Sequence, residues 1–157
     1  MNSKDKAFEY VKTIEQMTEA QISQRIKEAM EIELPNKLRV VDYHGGVEQI
    51  VEYKYQELVA HCPMTFILDT YEIILRFIPK KKIPELKSLK MYYWNYQDMP
   101  ISHEHLAARI YKDFLEAVKP LKFYLQLNVA GRGGIFTTVQ IGNKDLDTLA
   151  PRESSNL

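Results

Sequence analysis

Eight residues of this sequence have types and spacings that suit chemistry. The only cysteine, Cys62, stands between two carboxylates, Glu57 five residues before it and Asp69 seven after, with Pro63 next to it. A lone cysteine cannot form an intramolecular disulfide. It is either a small buried hydrophobe, as free cysteines commonly are, or a nucleophile. A nucleophilic thiol needs a partner that lowers its pKa or shuttles its proton. Asp69 and His103 can do this if the fold brings them near. Glu104 offers the paired acceptors that a donor-rich ring edge requires, such as the amide and amine N–H groups of a guanine-like ring. Lys87, Lys90 and Arg132 are the cations available for an anionic ligand. Each also has a plain structural reading: Asp69 as a strand-start residue, Glu104 as a first-turn helix acid, Arg132 as a turn residue among glycines.

Composition narrows the setting. The chain has 157 residues, 45% hydrophobic and 27% charged, which suits one domain with a real core. Lys+Arg and Asp+Glu are both 21, so the net charge is zero, and nothing global favours direct nucleic-acid binding or an anionic membrane. No apolar run reaches the length of a membrane span, and Met1-Asn2-Ser3-Lys4-Asp5-Lys6 is not followed by the apolar stretch of a secretory signal. One cysteine without an export signal predicts a reducing cytoplasm. Zinc sites that need several cysteines are excluded by count, and no histidine spacing suggests another metal.

The elements that must position these residues follow from periodicity. Residues 4–31 are helix-friendly, and Thr18 with Gln21 forms a capping-box signature for a helix starting there. Leu34-Pro35-Asn36 breaks it. Leu38, Val40 and Val41 predict a strand, and Gly45-Gly46 predicts a hairpin turn into a returning strand over 47–57, with His44 flanking the turn. Residues 70–79 predict another strand, ended by Pro79 and followed by the basic tip Lys80-Lys81-Lys82. A helix is predicted near 86–98, its aromatics serving a core or subunit interface, and a second from Ser102 to Lys119, stopped by Pro120. Leu121, Phe123, Leu125, Leu127 and Val129 alternate with polar residues, Gly131-Arg132-Gly133-Gly134 turns the chain, and Ile135, Thr137, Val139 and Ile141 return. Strands and helices are segregated, so the fold class is α+β with an antiparallel sheet whose helices cover one face. The other face, with Tyr124, Gln126 and Thr138, suits packing against another subunit.

From about Leu34 to Ile141 these residues resemble the NADPH-dependent 7-cyano-7-deazaguanine reductases, the QueF nitrile reductase family. The resemblance rests on four elements in order: Glu57 with Cys62-Pro63, Thr65 and Asp69; Glu85-Leu86-Lys87-Ser88-Leu89-Lys90-Met91-Tyr92; Ser102-His103-Glu104; and Arg132-Gly133-Gly134. It implies the tunnelling fold, two hairpins with two helices between them. The catalytic domain is then 34–141; before it lies an N-terminal helical extension (1–33) outside the resemblance, and after it a polar, aperiodic stretch (142–157) expected to be a mobile tail. The resemblance implies rings, with pairs of pentamers forming a decamer and active sites at subunit boundaries. It further implies that Cys62 adds to the substrate nitrile to give a thioimide, that Asp69 and His103 handle protons, and that Glu57 and Glu104 hold the deazaguanine edge. NADPH is the implied cofactor, with Lys87, Lys90 and Arg132 on its phosphates; with no Gly-rich dinucleotide fingerprint, it would lie across a subunit groove. The chain departs from the family at Phe66-Ile67-Leu68, where the reductases usually carry Gly-Gln-Pro. Two other readings stay open. One is the related amidinotransferase of archaeosine synthesis, which adds ammonia to the nitrile on tRNA. The other is a non-catalytic purine- or pterin-binding protein of the same fold.

Overall fold

The computed structural model describes residues 17–148. In chain order these form α1 (Glu19–Glu31), β1 (Val40–Asp42), β2 (Val51–His61), β3 (Leu68–Ile78), β4 (Lys82–Pro84), α2 (Leu86–Trp94), α3 (His103–Val118), β5 (Lys122–Arg132), β6 (Ile135–Gly142) and a short 3-10 turn (Lys144–Thr148). The helix expected over residues 4–16 lies outside the described residues.

A four-stranded antiparallel sheet, in the order β2-β3-β5-β6, carries the fold. It consists of two hairpins joined side by side through β3 and β5, and α2 and α3 cover one face, the α+β arrangement read from the sequence. The first hairpin differs from expectation in its strands. Gly45-Gly46 does not return the chain into a paired strand. Instead β1 pairs with β4 (Val40↔Pro84 to Asp42↔Lys82) in a ribbon of its own. The partner of β2 is β3, from Val51↔Phe77 to His61↔Leu68. The long register with β3 gives β2 far more ladder than the three residues of β1 could offer. Consequently the hairpin tip falls at Cys62.

Capping follows the sequence. At the start of α1, Thr18 Oγ1 accepts from Gln21 N–H at 3.2 Å, and Gln21 Oε1 accepts from Thr18 N–H at 2.8 Å. The α2 helix stops at Trp94, shorter than predicted, and is capped by Glu85, whose carboxylate accepts from Lys87 and Ser88 N–H at 2.8 Å each. The α3 helix ends with Lys119 in the left-handed region (φ 50°) just before Pro120.

The core lies between the helices and the inner sheet face. Phe114 of α3 stacks on Phe123 of β5 (4.3 Å between centroids) and meets Phe77 of β3 edge-on at 5.2 Å. The α2 aromatics serve this core: Tyr92, Tyr93 and Tyr96 are buried, and Trp94 is exposed. Burial raises all three phenol pKa values. The Tyr92 hydroxyl lies 2.6 Å from Asp113 Oδ2, to which it donates, and 2.8 Å from the Tyr96 hydroxyl. Arg109 of α3 donates to the carbonyls of Ala29 (2.6 Å) and Ile32, which docks the end of α1.

The outer sheet face is polar and internally bonded. Glu72 accepts from Gln56 at 2.8 Å and from Asn128 at 3.2 Å, and Gln126 donates to Asn128 at 2.9 Å. The stretch after Gly142, aperiodic in sequence, includes the 3-10 turn, which seats Leu146 against Ile78 and Tyr124. Among the described residues no helix is long and apolar enough to cross a membrane.

Phe114→Ala removes the ring that ties α3 to two strands. It should cost about 3–5 kcal/mol of stability, measured as a lowered denaturation midpoint.

Candidate active site

The site is built on the tip of the β2–β3 hairpin. Along β2, Tyr53 and Tyr55 are half-buried; a bulge between Tyr55 and Leu58 shifts the alternation, and Leu58 and Ala60 become the buried positions. Continued by one step, this alternation puts Cys62 on the helix-covered side, half-buried, where the strand ends. The loop after it is tight. Cys62 N–H donates to Ile67 C=O at 3.0 Å, and Phe66 N–H donates to Cys62 C=O at 2.8 Å. To close this turn Phe66 adopts φ 58°, a left-handed conformation that costs a residue with a Cβ about 1–2 kcal/mol. The His61 ring stacks on Phe66, with centroids 4.4 Å apart and planes 9° from parallel.

A backbone bridge brings the second half of the site to this tip. His61 N–H donates to Met99 C=O, and Ile101 N–H donates to His61 C=O, both at 3.0 Å. The segment entering α3 is thereby paired with the residue before Cys62. Across the hairpin, Asp69 is paired with Ala60 and is 4% exposed, one of few polar side chains buried here. Two residues on and on the same face, buried Tyr71 places its hydroxyl 3.0 Å from His103 Nδ1, at the first residue of α3. Either group can donate in this contact; the tautomer with the hydroxyl donating carries the ring proton on Nε2. Glu104 is exposed in the first turn. Ser102 is the N-cap by position, but its hydroxyl bonds His105 Nδ1 at 2.6 Å and not a helix N–H.

Cys62, Asp69 and His103 thus lie at one end of the sheet, with Glu104 beside them. Arg132 closes β5 at this same end, three residues past Val129, which is in register with Tyr71; Glu57, Lys87 and Lys90 lie elsewhere in the subunit. Glu57 falls in the β2 bulge and lines a cleft of ≈ 680 Å³ between β2 and α2, together with Lys90, Leu86 and the stacked pair Tyr55 and Tyr93. Burial raises the Tyr55 phenol pKa and the Glu57 charge adds to the rise, against a hydrogen bond to Trp94. Five residues of strand separate Glu57 from Cys62, about 16 Å. Lys87 lines a second cleft, of ≈ 450 Å³, with Lys37, Arg39 and Ser88. There Ser88 holds the Arg39 backbone, its hydroxyl accepting from Arg39 N–H at 2.9 Å. Neither cleft includes Cys62. Arg132 ends β5, in register with Ile135. Among the described residues no group of three or more His, Cys, Asp or Glu side chains is gathered to hold a metal ion.

Comparison with known proteins identifies the family and the fold. A family profile described as "QueF-like protein" matches residues 69–148. A protein of Nitrosospira multiformis named NADPH-dependent 7-cyano-7-deazaguanine reductase is 39% identical over 105 residues, covering 67% of this chain and 71% of its own. One of the same name from Thermoanaerobacter pseudethanolicus is 35% identical over 118 residues, covering 75% and 81%. The chain belongs to the QueF-like protein family. Its fold is also that of a solved archaeosine synthase QueF-Like in the apo form, at a TM-score of 0.56 and 22% identity over 59% of this chain and 91% of that one. The QueF-like match begins at Asp69 and takes in β3, α2, α3 and the second hairpin.

Three contributors to this candidate site carry no signal that the sequence reading used: His61, Tyr71 and the Met99–Ile101 segment. Period-two alternation from Asp69 could have placed Tyr71 on the same face. Its meeting with His103 spans 32 residues, and no local pattern announces it. His61 gives no signal beyond adjacency to Cys62. The tether makes a direct prediction. In Tyr71→Phe, the Nδ1 nitrogen resonance of His103 should shift, while His44 and His105 keep their resonances. An unmoved His103 resonance would show that the hydrogen bond does not set its tautomer.

Proposed function

We propose that this chain reduces the nitrile of 7-cyano-7-deazaguanine to the aminomethyl group with NADPH, in the biosynthesis of the modified tRNA nucleoside queuosine. The observation that carries the reading is the gathering of a half-buried thiol, a buried carboxyl and a tethered imidazole at one sheet end, in a chain of the QueF-like family. The reductase relatives favour this over ammonia addition on tRNA.

The roles are those that the resemblance implies, and the gathering of Cys62, Asp69 and His103 supports them. The Cys62 thiolate attacks the nitrile carbon, and the electron pair of the broken π bond goes to nitrogen, which takes a proton from Asp69; the product is a thioimide. His103, its Nδ1 facing Tyr71, presents Nε2 for proton transfer. Glu104 and Glu57 accept from the N–H groups of the deazaguanine edge. NADPH, when bound, supplies hydride, and two equivalents are required because nitrile and amine differ by four electrons. The residues present suit such a cofactor: Lys90 lines the larger cleft beside α2, and Lys87, Arg39 and Lys37 line the second; Arg132 is a candidate by the resemblance alone. Cys62 sits as the leaving group on the bond that must break before the second reduction.

Glu57 and Lys90 share no cleft with Cys62 within one subunit. We therefore place the complete site between copies in a ring; the resemblance to the reductases implies two pentamers forming a decamer. The outer strands β2 and β6 offer their edges, and Ile135 (71% exposed) and Phe136 (83% exposed) offer apolar contact at the second hairpin tip. The setting is a reducing cytoplasm, where a free thiol persists.

Two tests apply. Mixed with 7-cyano-7-deazaguanine, the protein should consume two equivalents of NADPH per aminomethyl product, and Cys62→Ala should form no adduct while keeping its circular dichroism spectrum. An adduct without NADPH oxidation, together with ammonia incorporation into nitrile-bearing tRNA, would instead establish the amidinotransferase. No adduct in the wild type would end both readings. Sedimentation should give the mass of a decamer, and a monomer would overturn the ring.

A further inference from the structure

We infer that His61 is a positioning residue for Cys62: it clamps Phe66 in its left-handed conformation and so fixes the loop from which the thiol acts. The inference rests on the reading of Cys62 as the nucleophile. His61 touches the loop twice. Its ring lies flat on the Phe66 ring at 4.4 Å. Its Nδ1 lies 3.0 Å from the Phe66 carbonyl. A carbonyl only accepts, so Nδ1 carries the proton. The other ring nitrogen, Nε2, lies 4.0 Å from an Asp98 carboxylate oxygen. The imidazole is therefore held in one orientation, and its side chain is only 19% exposed.

The clamp has a definite task. Phe66 at φ 58° occupies a region that favours glycine. The stack and the hydrogen bond offset the cost of that conformation. The two bonds that close the loop, Cys62 N–H to Ile67 C=O and Phe66 N–H to Cys62 C=O, both depend on that turn. Since His61 is also bonded through its own backbone to Met99 and Ile101, the clamp is anchored to the segment that delivers His103. One residue thus sets the separation between the thiol loop and the imidazole. Glycine at position 66 takes the same φ without the Cβ clash, so it should make the clamp dispensable.

The test is a cycle of His61→Ala, Phe66→Gly and the double variant, with two readouts. The first is amide exchange at Cys62 and Phe66, which needs no substrate. The second is the rate of thioimide formation with 7-cyano-7-deazaguanine in a single turnover, read by intact mass. We expect His61→Ala to lose protection at both amides and to form the thioimide about tenfold or more slowly. Phe66→Gly in that background should restore both, and His61→Phe, which keeps the stack, should fall between wild type and His61→Ala. Unchanged protection in His61→Ala, a wild-type rate there, or a double variant as slow as His61→Ala would each overturn the inference. If His61→Ala fails to fold, the pair Phe66→Gly and double variant decides. A folded double variant with wild-type protection supports the clamp, and an unfolded one shows that His61 serves the core. Loss of protection alongside a wild type that forms no thioimide would sink the nucleophile reading and leave the clamp standing.

Discussion

Two backbone hydrogen bonds on His61 hold the site together. By pairing the last residue of β2 with the segment at 99–101, they fix the start of α3 against the tip of the first hairpin. These bonds use main-chain groups that must be satisfied somewhere once buried, so the geometry does not depend on surface charges or on salt. The Tyr71–His103 contact then acts as a second tie between the same two elements, from the next row of the sheet.

The sheet separates its two duties by face. Toward the helices, the rings of Phe77, Phe114 and Phe123 pack on one another, and Asp69 and Tyr71 carry that face out to the reactive end. The opposite face is a chain of amides, carboxylates and a phenol that satisfy one another from Gln56 on β2 to Gln140 on β6. The bulge at Gln56-Glu57 is the one place where β2 departs from this division. There two consecutive residues are exposed, and Glu57 turns toward the cleft beside α2 and away from the Cys62 end.

Much of this is legible in local patterns of the sequence. The Thr18–Gln21 capping box, the Ser102 start and Pro120 stop of α3 and the alternating second hairpin are short-range signals, and each element appears where its signal predicts. Gly45-Gly46 misleads because a turn signal says that the chain bends, not which strand it then pairs with; the longer ladder offered by β3 decides that. Composition leaves Cys62 undecided between core and nucleophile. The spacing to Asp69 and to Ser102-His103-Glu104 raises the second reading through a resemblance, not through geometry. The Tyr71–His103 contact and the bridge from His61 to the 99–101 segment cannot be read, since they join residues distant in sequence. Ser88 shows the reverse case: it stands in a segment that suggests cofactor contacts, yet its hydroxyl is committed to the backbone of Arg39 and the carbonyl of Glu85.

The way α1 is attached has a consequence for how freely that segment can change. Arg109 grips the end of the helix through the carbonyls of Ala29 and Ile32, groups that every residue possesses. Of the α1 side chains, only Ala29 is buried. The Arg109 contact therefore reads the course of the main chain and not its side chains. Most exposed positions of α1 can be rewritten without loosening its hold on α3, whereas replacing the single guanidinium on α3 would leave the helix end held only by the packing of Ala29, Met30 and Leu34.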